Sequence, residues 1–297
     1  MYRNLSPKVL GVSGFQSELI ELALSHGFKG LEIDVVDFIE KANSRGLDHA
    51  RRLIDSARIK LGHLQLPVAL SAADEAFDSE LECLQGAAEH LATVGCDHLV
   101  TTIEPGSDDL PYHENFERHR KRLVALADVL DPHGIRLGIG FRGIASARQG
   151  KAFEFIHDLD ALMTLVESAA ESTGASIDVW DVVVAGSSVD DLKKIAASRM
   201  VAVQLSDGPA DQSPQQWDET SRQLPGETGV IDSAAVLVWL AESDFEGPVT
   251  PVPHRSQFKG TTRENIVRRT GEKLNEVWKL AGLTPSGKLD VPVEQPA

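Results

Sequence analysis

Cysteine is nearly missing from this chain: Cys83 and Cys96 are the only two among 297 residues. They form no metal-type or redox pair motif, and two free thiols in so long a chain suit a reducing compartment. Basic residues are also few, with 29 Lys and Arg against 45 Asp and Glu and a formal charge of −16. A surface that acidic repels phosphate backbones and anionic lipid, so neither nucleic acid nor a membrane surface is expected as a partner. No apolar stretch reaches membrane-spanning length, and the N-terminal MYRNLSPKVLGVSG lacks the basic-then-apolar order of a secretory signal. The cytoplasm is the expected location. A phosphate-binding glycine signature is absent too, since VSGFQS does not supply one.

What is present is an alternation. Hydrophobic residues make up 42% and charged residues 25%, enough for a large core without the composition of disorder. Short runs rich in Val, Ile and Leu fall at Lys8–Ser13, Gly30–Val35, Lys60–Leu66, His98–Ile103, Arg136–Phe141, Ser176–Val182, Met200–Leu205 and Pro248–Val252. Most are apolar on both faces, as parallel strands covered by helices must be. Between them lie segments of helical period, such as Leu81, Leu84, Ala88 and Leu91, or Leu123, Leu126, Ala127 and Leu130. His26-Gly27, Pro132-His133-Gly134 and Thr173-Gly174 read as helix ends placed just before strands. Eight such units predict an α/β fold, a single closed (β/α)8 TIM barrel over residues 1–283. A doubly wound open sheet is the alternative, but it usually has fewer strands. Residues 284–297 lose periodicity and are proline-rich, which predicts a C-terminal tail, mobile or ordered against a neighbouring subunit. Residues 207–229 form a long polar loop after the seventh strand, on the face where such barrels place their sites.

That face selects the candidates. Glu32 and Asp34 follow the second strand, His63 and Gln65 lie on the third, Glu104 follows the fourth, and Arg142 the fifth. Asp178 and Asp181 lie on the sixth, Gln204 and Asp207 on the seventh, and His254 and Arg255 follow the eighth. Each has a plain structural reading as well. Glu32 and Asp34 suit helix caps, His63 a hydrogen-bonded core histidine, Glu104 a turn, and Arg142 the neutralisation of a nearby acid. Asp178, inside SIDVWDVVV, is harder to dismiss, because a buried acid must be paired or ligated. Its default structural partner is an interior Arg, His or Lys.

Several segments, in order, carry a resemblance: GFKGLEID, SIDVWDVVVAGSSVDDL, VQLSDGP, LPGETGVID and DFEGPVTPVPH. From Val9 to about Leu283 the chain resembles the sugar phosphate isomerase/epimerase family, the xylose-isomerase-like TIM barrels that also include inosose dehydratases and endonuclease IV. The resemblance implies one divalent cation held by Glu, Asp, His and Glu on strands five to eight, with the glutamates moving protons. Here Gly140 stands at the first of those positions, Asp178 is kept, Gln204 replaces the histidine, and Val252 replaces the last glutamate. Asp181 replaces a substrate-contacting histidine, and Asp207 is retained. A positioned acid or base contributes about 10²–10⁴-fold, so the usual family reaction is not expected from this set.

The expectation is therefore an isomerase/epimerase-like protein that acts on or binds a sugar or polyol through a degenerate metal site. Asp178, Asp181, Glu32 and His63 are the expected acid–base groups, and Gln204, Asp207, Arg142 and His254 the expected ligand contacts. No cofactor is expected, with a divalent cation (Mn, Mg or Zn) at a rearranged site left open. The alternative is a non-catalytic descendant that binds a ligand or serves as a partner subunit, with the long loop and the tail used for assembly as a homo-oligomer or with another enzyme. A repair nuclease is excluded by its need for a three-metal cluster and a basic surface.

Overall fold

The first strand lies earlier than the apolar pattern predicts. In a computed structural model of the chain, which describes residues 1–290, β1 is Tyr2–Leu5. The expected strand Lys8–Ser13 opens instead as a one-turn helix, Pro7–Leu10. Proline presets the first helical φ, and Gly11, at φ 69, closes the turn in the left-handed region. Arg3 and Asn4 disguise the true strand in the sequence. Asn4 is nonetheless fully buried, where its Nδ2 donates to Thr250 Oγ1 at 2.9 Å.

Seven more parallel strands follow: β2 Gly30–Leu31, β3 Lys60–Leu61, β4 His98–Ile103, β5 Arg136–Phe141, β6 Thr173–Asp178, β7 Met200–Leu205 and β8 Pro248–Pro251. They form one curled sheet of eight strands in the order β3-β2-β1-β8-β7-β6-β5-β4. Every neighbour relation of a ring is thus made by a ladder except that between β3 and β4. Across that gap the Val100 N–H donates to Leu64 O, and the Leu66 N–H to Val100 O, both at 2.8 Å.

β4, β5 and β7 have the limits their apolar runs predict. β6 differs: it begins at Thr173 and stops at Asp178, because the Asp178 carboxylate caps the next helix, Val179–Val184, by accepting the Trp180 N–H. Thr173-Gly174 is therefore not a helix end but the start of this strand. Glycine is required there by close approach, since a Cβ would lie 2.4 Å from Arg199 O. The other two glycine punctuations hold, with Gly27 at φ 83 and Gly134 at φ 69.

Helices Asp74–Thr93 and Tyr112–Leu130 carry the stripes read from the sequence, with Leu84, Ala88, Leu91, Leu123, Leu126, Ala127 and Leu130 buried and Leu81 partly so. A short antiparallel pair, Gly106–Ser107 with Phe153–Glu154, was not anticipated; it ties together the segments that follow β4 and β5. At the C-terminus, Thr284–Asp290 turns back on itself, and Trp278 Nε1 donates to Thr284 O at 2.9 Å. Residues 291–297 of the expected tail lie outside the described residues. Among the described residues no helix is long and apolar enough to cross a membrane, and both cysteines are free thiols.

Candidate functional site

β6 delivers two carboxylates within one turn, Asp178 at its last residue and Asp181 in the helix that starts there. Both are met by Arg222, reaching in from the long loop after β7. Its Nη1 lies 2.5 Å from Asp178 Oδ2, and its Nη2 lies 2.7 Å from Asp181 Oδ2. The guanidinium also sits 4.1 Å from the centroid of the Trp180 ring, which stacks on Trp217 of the same loop. Asp181 uses its other oxygen to accept the Gly143 N–H at 2.8 Å.

The loop that supplies Arg222 is firmly held. The backbones of Asp207 and Gln223 pair with each other at 3.0 and 2.9 Å. The fully buried Asp207 carboxylate accepts the N–H groups of Gly208, Thr228, Gly229 and Ile231. Asp207 therefore fastens the two ends of the loop, and it is not among the residues that line the cavity over Asp178.

Burial pushes the Asp181 carboxyl up to about 6; Arg222 opposes that rise and the neighbouring Asp178 charge adds to it. For Arg222, burial pulls the other way, but the two carboxylates override it and the guanidinium holds its proton more tightly than usual. This is a compact set of two carboxylates, Asp181 buried and Asp178 12% exposed, sharing one cation.

A cavity of about 580 Å³ opens over this set, walled also by Gln204, Arg142 and His254. Gln204 Nε2 lies 2.5 Å from His63 Nε2, so His63 stands behind the glutamine and not on the cavity wall. Burial, with help from His98, pushes the His63 imidazole down to about 3, which keeps the ring neutral near pH 7. Arg142 pairs with Glu219 of the long loop. His254 contacts Ser256 Oγ through Nδ1 at 2.7 Å, and its backbone N–H donates to Arg222 O at 3.0 Å. The expected residues Asp178, Asp181, Gln204, Arg142 and His254 thus come together. Glu32 lines a different cavity, at the end of β2.

Sequence reasoning missed Arg222, although a signal existed. It is the sole basic residue in the 207–229 loop, and the acids on β6 required a cation.

This donor set does not suit a divalent metal. Among the described residues no three His, Cys, Asp or Glu side chains converge on one point. Arg222 already engages the Oδ2 atoms of both aspartates, so a metal would have to displace a buried guanidinium or share its anions with it. At Gly140 an added Cβ would lie 3.0 Å from Ser176 O, so a glutamate could enter only if the neighbouring strand gave way.

Comparison with known proteins bears on the fold. A family model described as xylose isomerase-like TIM barrel matches residues 20–276. A xylose isomerase domain protein from Alicyclobacillus acidocaldarius superposes with a TM-score of 0.84 at 24% identity, over 95% of this chain and 99% of that one. An IolI protein with a bound zinc atom gives 0.75 at 19%, covering 95% and 98% of the two chains. D-psicose 3-epimerase, solved in the presence of D-fructose, gives 0.73 at 14%, over 95% and 100%. No curated protein matches significantly.

Proposed function

The chain belongs to the xylose isomerase-like TIM barrel family, and from that premise we propose that it binds a sugar or polyol at the C-terminal face of a closed barrel, with Arg222 standing where relatives hold a divalent cation. The observation that carries this reading is the bridge from Arg222 to Asp178 and Asp181 on the floor of the 580 Å³ cavity. We take the two hydrogen bonds at Val100 as the seam that closes the barrel.

The chemistry favours a polyhydroxylated ligand. Each aspartate oxygen keeps lone-pair capacity beyond the bonds it already accepts, and can take a hydroxyl proton in a charge-assisted hydrogen bond. Gln204 and His254 offer further hydrogen-bonding groups on the same wall. The cavity volume lies within the ordinary range for small-ligand sites. The family and its sugar-epimerase neighbour support the same ligand class. A second reading, acid–base catalysis without a metal, is supported by Asp181, which lines the cavity and whose carboxyl burial pushes up to about 6.

Isothermal titration with a panel of ketoses, aldoses and cyclitols tests the proposal. Binding is expected in the presence of EDTA and unchanged by added Mn²⁺ or Zn²⁺. Binding that appears only with metal, or anomalous density at Asp178 after a metal soak, refutes the assignment to Arg222.

A further inference from the structure

A second cavity, of about 680 Å³, lies over the ends of β1 and β2. Its solvent-facing wall mixes polar residues such as Lys8, Asp34, Asp37 and Gln65 with two large apolar ones: Phe15 is 79% exposed and Val36 52% exposed. They come from different helix starts, Phe15 from the N-cap of Gln16–Ser25 and Val36 from the first turn of Val35–Arg45. Leu19 and Phe38 continue the apolar wall inward. Two large apolar side chains left in water at one cavity lose hydrophobic free energy that a ligand packed against them would recover.

Two further observations point to a small molecule as that ligand. Glu32 lines this cavity, and its Oε2 is buried with no hydrogen-bond partner. The Ser6 hydroxyl lies close enough to favour the ionised carboxylate as a hydrogen-bond donor, yet neither it nor Glu32 Oε2 has a partner in hydrogen-bond geometry. Native interiors rarely leave such groups unpaired. In addition, Lys8 borders both this cavity and the one above Asp178, so the two share part of a wall.

We propose that this cavity receives an apolar substituent of the molecule held over Asp178, so that the ligand is an amphiphile: a sugar or polyol joined to an aromatic or alkyl group, with the Glu32 carboxyl hydrogen-bonding to it. The inference rests on the sugar or polyol reading of the first cavity. Burial pushes Glu32 up to about 7, so near neutral pH it can either donate or accept that bond.

The test is titration of the full chain with phenyl β-D-glucopyranoside, its galacto and xylo counterparts, and the three free sugars. At least one phenyl glycoside is expected to bind about tenfold or more tightly than its free sugar, the scale set by burying a ring. Phe15→Ser and Val36→Asp, both at exposed positions and checked for folding by circular dichroism, are each expected to remove several-fold of that advantage. The free sugars should not respond to them. No advantage for any glycoside, or one that survives both substitutions, overturns the inference. A dimer in sedimentation that V36D dissociates would give this face to a second copy and overturn it as well. Arg222→Lys separates the two readings. It should weaken sugar and glycoside alike, whereas sugar and glycoside affinities that R222K leaves unchanged, beside a V36D-sensitive advantage, would sink the first-cavity reading and leave the apolar subsite standing.

Discussion

Asp181 at the end of β6 and Glu32 at the end of β2 occupy the same rim of one curled sheet, yet their surroundings differ. Asp181, with Asp178, shares a guanidinium brought in by a loop. Glu32 has a buried oxygen with no partner. The strands differ in the same sense: β4 to β7 are long and densely paired, whereas β2 and β3 pair over two residues each. A buried acid in a rigid, fully laddered sector is tied into the structure by its partner. A buried acid in the sparsely laddered sector beside a cavity is left with hydrogen-bonding capacity to offer a ligand. The contrast separates what holds the protein together from what remains available for binding.

Removing Arg222 should break that contrast most severely. Arg222→Ala leaves two acids in the interior without a counter-charge, and breaking a buried pair in this way costs about 3–5 kcal/mol. Chemical denaturation should show the loss in full above pH 6 and a smaller loss in acid, where protonation relieves the repulsion. Adding Asp178→Asn and Asp181→Asn to the same variant should restore much of the stability. If R222A alone is near neutral, the two sectors are not different in kind.

Glu32→Gln should have the opposite sign. With a folded-state value of about 7 against an ordinary 4.5, the native state binds more protons than the unfolded chain between those limits. Wild-type stability therefore falls as pH rises through that window, and the penalty is complete above it. Glutamine has no charge to bury, so E32Q should gain roughly 3 kcal/mol at pH 8 and nothing well below pH 4.5. Denaturation midpoints at the two pH values check this, and a variant with no pH-dependent gain would show that Glu32 finds a partner in solution.

How much of this contrast was legible in the sequence follows from the range of the interactions. β4, β5 and β7 declared themselves because both of their faces are apolar. β1 did not, because Arg3 and Asn4 interrupt a four-residue strand, and the Asn4 amide donor finds its acceptor on Thr250, 246 residues away. The replacements at Gly140, Gln204 and Val252 could be read from motif positions. The need for a cation beside Asp178 followed from burial alone, but its source did not. Arg222 lies 44 residues from Asp178 in the chain, and only the loop's path brings them together. Likewise, no pattern showed that Asp207 would serve the loop, since its four backbone donors exist only once the loop has closed.

A smaller effect sharpens the metal side of the comparison. Gly140→Glu places a Cβ 3.0 Å from Ser176 O, and overpacking of this kind costs about 1–3 kcal/mol. Because Arg222 still neutralises both aspartates, G140E is expected to acquire no Mn²⁺ affinity by calorimetry. The combination of G140E with Gln204→His, Val252→Glu and Arg222→Ala is the version in which metal binding should first appear. Metal binding by G140E alone would mean that the guanidinium is easily displaced.

The smallest effect belongs to the second ion pair above the same cavity. Arg142 and Glu219 also join β5 to the long loop, but their side chains are 33% and 45% exposed, against 13% for Arg222 and 6% for Asp181. Water screens such a pair, and its coupling should be at most about 1 kcal/mol. A double-mutant cycle with Arg142→Ala and Glu219→Ala measures it directly, and the coupling should shrink further in 0.5 M NaCl, a salt level of roughly the order that screens exposed charges within a few ångströms. The Arg222 pairs, shielded from solvent, should keep theirs. A coupling as large and as salt-resistant as that of Arg222 would mean that the whole loop, and not one guanidinium, carries the electrostatic tie across the cavity.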